Sequence, residues 1–322
     1  MMKKAMMRSQ QQGIALITIL VMVALASIIA ASIAKRQQHT FENTAYLMRQ
    51  NQALLYAKSA EAFFSELLIQ DSENSAAADH LQETWAQPLP PFPVDDGIVS
   101  GQIEDESGKF NLNSLVNAQG LVNEKNQKLF EALLKRVGLP EGLSQAVIDW
   151  QDADDLTAGA MGAESQYYQG LPSPHLAANR PFYHVEELRM LRGFEGANYD
   201  RIAAYVVALP ESSTKININT APALLLASLD PSLDVNAVTA LLQSKQEKLE
   251  HFANVNALFE QAPFAQLNAE AKARANELFD VKSQYFKAKI EVQLANRNRQ
   301  LSSHLKRKDK QVYVYSRQLL PF

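Results

Sequence analysis

Residues 14–34 form an unbroken apolar run, with Thr18, Ser27 and Ser32 as its only polar side chains and no charge. At about 1.5 Å per residue, a helix of this length covers the ~30 Å hydrocarbon core of a bilayer. The three hydroxyls are compatible with that setting, because a helix satisfies its own backbone and small hydroxyls bond back to it. From 35 to 70 there is neither Gly nor Pro, and Leu54, Ala57, Ala60, Phe64, Leu67 and Leu68 recur at spacings of three and four. That spacing predicts an amphipathic helix continuing directly from the apolar one. Periodicity is lost over 71–96, where Pro88, Pro90, Pro91 and Pro93 predict an extended loop. Alternation returns at 98–103, with a turn at 106–108, and again at 285–292, 301–305 and 312–317, predicting short antiparallel strands. Between them, short helices are expected at 129–137, 142–150, 185–191, 199–208, 221–229 and 235–244.

A polar leader carrying Lys3, Lys4 and Arg8, closed by Gly13, precedes the apolar run. Its charge predicts a cytoplasmic N-terminus and a translocated C-terminal part, with Lys35 and Arg36 on the far flank pulling weakly the other way. A removable secretory signal would need a shorter run of roughly 7–15 apolar residues, although Ser32-Ile33-Ala34 has the small-x-small form of a cleavage site. An uncleaved anchor is a second reading. The Gly13–Ile14 junction opens a third, which rests on a resemblance.

An internal repeat organises the middle of the chain. Lys109-Phe110-Asn111-Leu112-Asn113-Ser114 matches Lys215-Ile216-Asn217-Ile218-Asn219-Thr220, and Phe182-x-His184-Val185-x-x-Leu188 matches Phe252-x-Asn254-Val255-x-x-Leu258. Two related helical modules follow from this, the first enlarged. Each is expected to open with a short extended piece, its Asn and Ser or Thr capping the next helix.

The chain has 322 residues, enough for more than one compact unit. Its formal net charge of −4 speaks against general nucleic-acid binding, which needs basic surface. The charge is uneven: 141–200 holds ten acids and three bases, 282–317 ten bases and two acids. Such polarity fits solvated faces or different partners at two ends. The absence of cysteine excludes disulfides, thiol catalysis and thiolate metal sites.

Six histidines are scattered without an HExxH pair, and neither a G-x-S-x-G elbow nor a phosphate-binding glycine loop occurs, so no enzymatic activity is expected. The one dense polar constellation is Asp149, Asp152, Asp154 and Asp155, followed by Gly159, Gly162 and Glu164. Clustered carboxylates beside a flexible turn supply the hard oxygens that Ca²⁺ prefers. The EF-hand template fails, since the fifth and twelfth positions counted from Asp152 are Leu156 and Ala163. A solvated helix end, with Asp152 or Asp154 capping a turn, is the other reading of these residues.

The basic leader, Gly13 and the apolar run headed by Ile14 resemble the class III signal of type IV pilins and pseudopilins. The resemblance implies that a prepilin peptidase cuts between Gly13 and Ile14 and methylates Ile14. The pilin pattern carries Glu at the fifth mature position, where this chain has Thr18. A carboxylate inside a bilayer needs a partner, and a subunit lacking it cannot pair with a subunit above. In this departure the chain resembles the K-type minor pseudopilins of type II secretion systems. So does the tract Asp149-Trp150-x-Asp152-Ala153-Asp154-Asp155, with Glu164, Tyr167-Tyr168, Ala178-Asn179-Arg180-Pro181 and Val185-Glu186-Glu187-Leu188. Calcium in the inserted helical domain is implied by that family, with the five acids as candidate ligands.

The resemblance implies an α+β fold: a pilin-like long N-terminal helix packed on a small antiparallel sheet, with a large all-helical insertion, SAM-like or helix-hairpin-helix-like. The expected divisions are a leader at 1–13, a transmembrane and assembly helix at 14–34 and a pseudopilin domain from 35–108 and 281–322. Inserted modules are expected at 109–214 and 215–280. The implied role is at the tip of the type II secretion pseudopilus, initiating or capping the filament. The implied partners are the minor pseudopilins of types I and J, the major pseudopilin and the prepilin peptidase. The implied location is the bacterial inner membrane, single-pass, with the C-terminal part in the periplasm and no nucleic acid bound. Asn217-x-Asn219-Thr220-Ala221 also resembles helix-hairpin-helix modules of competence proteins, which keeps a membrane-tethered DNA-binding alternative open. Those modules need a Leu-Pro-Gly-x-Gly hairpin, and here Ala227-Ser228-Leu229-Asp230-Pro231-Ser232 stands in its place.

Overall fold

The periodic N-terminal sequence folds as one helix, Gln12–Asn74 (α1), in a computed structural model whose described residues are 12–74, 77–295 and 297–320. The leader at 1–11 lies outside the described residues. Two compact units divide the chain, Met1–Tyr56 and Ala57–Phe322. In the first, side chains 14–40 are all exposed. Its apolar stretch has a mean hydropathy of 2.9 over 18 residues, long and apolar enough to cross a membrane. Thr18 donates its hydroxyl to the Ala15 carbonyl at 2.9 Å, and Ser27 to that of Val23 at 2.8 Å, the back-bonding that lets hydroxyls sit in an apolar helix.

In the second unit, the end of α1 is followed by Phe92–Val94 (β1), Gly97–Asp105 (β2) and Phe110–Asn111 (β3). Glu124–Arg136 (α2), Leu143–Asp149 (α3), Ser165–Gln169 (α4), Ala197–Ile202 (α5) and Val206–Val207 (β4) come next. Then follow Ile216–Asn217 (β5), Ala223–Ala227 (α6), Val235–Glu247 (α7), Val255–Leu258 (α8), Ala269–Leu278 (α9) and Phe279–Asp280 (β6). Tyr285–Leu294 (β7), Arg297–Lys308 (β8) and Gln311–Leu320 (β9) close the chain.

The first two strands and the last three form one antiparallel sheet, ordered β1-β2-β7-β8-β9. Along β7, Phe286, Ala288, Ile290, Val292 and Leu294 are buried and the intervening residues are more exposed, the alternation of a sheet covered on one face. Ala57, Glu61, Phe64 and Leu68 of α1 are buried in this unit. The Phe64 ring lies where a Cβ on Gly101 would sit, 2.8 Å away, so the glycine makes room for the helix. Glu61 was not part of the apolar stripe read from sequence. Its carboxylate takes both arms of Arg317, each at 2.8 Å, and the hydroxyl of Ser303.

The two repeat copies fold alike. Each Lys-x-Asn-x-Asn strand pairs in parallel with a strand at the end of its own module: Phe110 with Val206, and Ile216 with Phe279. The second Asn of each copy does not cap a helix. Asn113 instead donates to the Phe182 carbonyl at 2.9 Å and accepts from its amide at 2.7 Å, and Asn219 does the same to Phe252 at 3.1 and 2.8 Å. A primary amide has one donor and one acceptor side in the geometry of a peptide group, so it can mimic a strand partner. The first Asn of the opening copy does cap: Asn111 accepts the Asn113 amide at 3.2 Å at the head of the 3₁₀ turn Leu112–Ser114. The α-helix caps come from residues the spacing did not single out: Asn123, Asp234, Asn254 and Asn268 accept from the amides opening α2, α7, α8 and α9.

One apolar core runs through both modules, from Phe110, Phe130 and Leu133 in the first to Leu225, Phe264 and Phe279 in the second. The helix expected at 199–208 ends at Ile202, and its remainder supplies β4. The loop expected at 71–96 holds the last turn of α1, a 3₁₀ turn that buries Trp85, and β1.

Candidate metal centre

Five of the sequence-predicted residues lie in or beside one loop, 150–164, that leaves α3 and folds back over it. Asp149, the last residue of α3, is fully buried, and its two oxygens accept the amides of Ala158 at 2.8 Å and Ala163 at 2.6 Å. One turn earlier, Gln145 accepts the Met161 amide at 2.9 Å. A Cβ on Gly162 would collide with the Asp149 carboxylate, so only glycine permits this closure. Arg192 holds the outside of the loop through the carbonyls of Gly162 at 2.9 Å and Ala160 at 3.4 Å. Behind it, Trp150 packs edge-on against Tyr168, their centroids 5.6 Å apart.

This brings Asp152, Asp154 and Glu164 together, one carboxylate oxygen of each lying within 4.8 Å of the others. Glu164 precedes α4 and is 4% exposed, yet neither of its oxygens has a hydrogen-bond partner, and Asp152 Oδ1 is also buried and unpartnered. Burial pushes the Glu164 carboxyl up to about 7, helped by the charges of Asp149, Asp152, Asp155 and Asp154. Asp152 rises to about 6 through burial and the charges of Asp154 and Asp149. Asp149 is also raised by burial, against the pull of its two backbone bonds. Native buried carboxylates are normally hydrogen-bonded, and the unpartnered ones here converge.

The donor set is all carboxylate, which suits a hard cation. Oxygens on opposite sides of an ion with bonds of about 2.3–2.6 Å stand about 5 Å apart, so the spacing fits. Asp149 is committed to bracing the loop, and Asp155 is exposed outside the converging group. Sequence reasoning missed Gln145 and Arg192. Gln145 lies one helical turn before Asp149, the i, i+4 spacing that puts two side chains on one face.

The hairpin at 229–234 does not present free backbone amides in the way a phosphate-binding turn would. Asp230 accepts the Ser232 amide at 2.9 Å and its hydroxyl at 2.6 Å, so the chain's own carboxylate occupies the turn. Arg136 and Arg274 are turned inward onto the carbonyls of Leu233 and Leu229, at 2.8 and 2.7 Å.

Comparison with known proteins bears on the family and the fold. Two models described as type II secretion system (T2SS), protein K match residues 108–211 and 216–282. The type II secretion system protein K of Pseudomonas aeruginosa is 37% identical over 97% of this chain and 94% of the relative. That of Aeromonas hydrophila is 34% identical over 91% of this chain and 92% of the relative. The fold matches a chain of the crystal structure of the GspK-GspI-GspJ complex from enterotoxigenic Escherichia coli. The TM-score is 0.77, at 24% identity, over 87% of this chain and 100% of the other.

Proposed function

This chain belongs to the type II secretion system protein K family, and we propose that it serves as the minor pseudopilin at the tip of the pseudopilus. The observation that carries the position is Thr18. Its hydroxyl is neutral and donates to its own helix, at the Ala15 carbonyl, so it offers no charge to the terminal amine of a subunit above it. A chain without that carboxylate can sit under nothing and over its neighbours. The apolar helix holds the protein in the inner membrane before assembly and lies inside the filament afterwards, with the C-terminal part in the periplasm. Processing between Gly13 and Ile14 by prepilin peptidase, with methylation of Ile14, precedes assembly.

The partners are minor pseudopilins of types I and J. A related fold was crystallised with proteins named GspI and GspJ, which supports this choice. The major pseudopilin lies below them. Its role is structural, in export across the outer membrane.

Calcium belongs to the inserted helical region. Asp152, Asp154 and Glu164 would hold it, with Asp149 fixing the loop beneath and Asp155 adding charge outside. A bound cation would supply the positive charge that lets Asp152, Asp154 and Glu164 stay ionised side by side over α3.

The test is assembly in detergent micelles. The full-length chain, mixed with its type I and type J pseudopilins, should give one ternary species by light scattering, and Thr18→Glu should let a further pseudopilin associate above it. A wild-type chain that stays monomeric in the mixture would contradict the reading.

A further inference from the structure

A second acidic cluster lies outside the loop, in the unit that starts at Ala57. Asp71 in the last turn of α1, and Asp79 and Glu83 in the segment after it, each bring one oxygen within 4.8 Å of the others. Their side chains are only 9%, 6% and 6% exposed. Arg307 of β8 reaches Asp71 at 2.7 Å and also pairs with Asp79, and the Ser283 amide donates to the second Asp79 oxygen at 2.7 Å. Glu83 is oriented by one oxygen alone, which accepts the Trp85 indole N–H at 2.8 Å and the His80 amide at 3.0 Å.

The other Glu83 oxygen is buried and has no hydrogen-bond partner; His80 Nδ1 and Gln82 Oε1 beside it are in the same condition. Two of the three carboxylates therefore share one guanidinium. His80 Nε2, 3.9 Å from the free Glu83 oxygen, carries charge only when protonated, a form that burial disfavours. With His80 neutral, two negative charges are unbalanced in a buried place. Buried charge without compensation is costly. A divalent cation would bring the count to zero.

We propose that Asp71, Asp79 and Glu83 form a second divalent-cation site, of calcium type, that ties the end of α1 to segment 77–87 and to β8. The donors are carboxylates, two of which, Asp71 and Asp79, also pair with Arg307 through one oxygen each, and calcium tolerates the irregular coordination that magnesium does not. A nitrogen-rich zinc set is not formed. His80 stacks on His251, ring centroids 3.9 Å apart and planes 14° from parallel, so their in-plane lone pairs do not converge. The site is independent of the loop at 150–164.

The experiment uses the full-length chain in detergent micelles, freed of metal with EDTA and titrated with calcium chloride in a calorimeter. The double variant Asp152→Asn/Glu164→Gln isolates the new site. It should still bind one calcium ion, and amide exchange across 77–87 should slow about tenfold at a tenfold excess over Kd. Adding Glu83→Gln should abolish both effects. If that triple variant does not fold, the exchange response of the double variant decides alone. Should wild type and double variant bind the same single ion, the loop site fails while this one stands. A double variant that binds no calcium, or whose 77–87 exchange ignores it, would overturn the proposal.

Discussion

Two amides hold the helical modules together, and each can be tested singly. Asn113 bonds both backbone groups of Phe182 and the Leu209 carbonyl at 2.8 Å, whereas Asn219 bonds only Phe252. Leaving a buried backbone group unpaired costs roughly 1–3 kcal/mol. Asn113→Ala should therefore lose about 3 kcal/mol in urea unfolding, and Asn219→Ala, with fewer partners, about 2. Equal losses would show that the two copies are not built as described. The repeat itself was legible in sequence, because both Asn recur at fixed positions, but their role was not. Their partners lie 69 and 33 residues downstream, beyond the reach of local capping rules. Glu61 escaped for the same reason. Its partner Arg317 is 256 residues away, and a glutamate at a buried helical register reads as surface until that partner is seen. Burial works to raise the Glu61 carboxyl, but the Arg317 and Ser303 hydrogen bonds prevail and hold it below the ordinary range. Thr18, by contrast, needs no distant partner to be noticed, since its place in the apolar run is read directly from the sequence.

At the scale of the element, the loop over α3 should couple stability to pH and, on the proposed reading, to calcium. Glu164 and Asp152 have folded pKa values near 7 and 6, above their unfolded values. The folded state thus holds more protons than the unfolded one between about pH 4 and 7, and stability falls as pH rises through that window. Melting of the calcium-free full-length chain should accordingly drop between pH 5 and 8. Saturating calcium should recover most of that loss at pH 7.5 and little at pH 5.5, where protons compete for the same oxygens. A calcium-free melting temperature that climbs over this range would contradict the electrostatics. Gly162→Ala, which drives a methyl into the Asp149 carboxylate, should weaken calcium binding at least tenfold in calorimetry while leaving the sheet's circular dichroism intact. The strands β2, β7, β8 and β9 and the spine were readable from period two and period three-to-four alone, whereas β1 fell within an expected loop. The shorter elements were not: α9 reads AEAKARANEL, whose small alanines bury little area and give no stripe, and β4 is two residues set by pairing with β3 rather than by its own sequence.

For the whole molecule, two units of different chemistry share one chain, an apolar helix suited to a bilayer and an α+β body with acidic loops and a basic sheet. Family membership shows a pseudopilin of type II secretion; the proposed account adds that it is trimmed at its leader and, lacking charge at Thr18, placed where nothing stacks above it. The direct test is the intact mass of the mature protein purified from cells that contain the prepilin peptidase. The account predicts a chain beginning at Ile14 with one added methyl group. A chain that keeps residues 1–13, or one cut after Ala34, would contradict it.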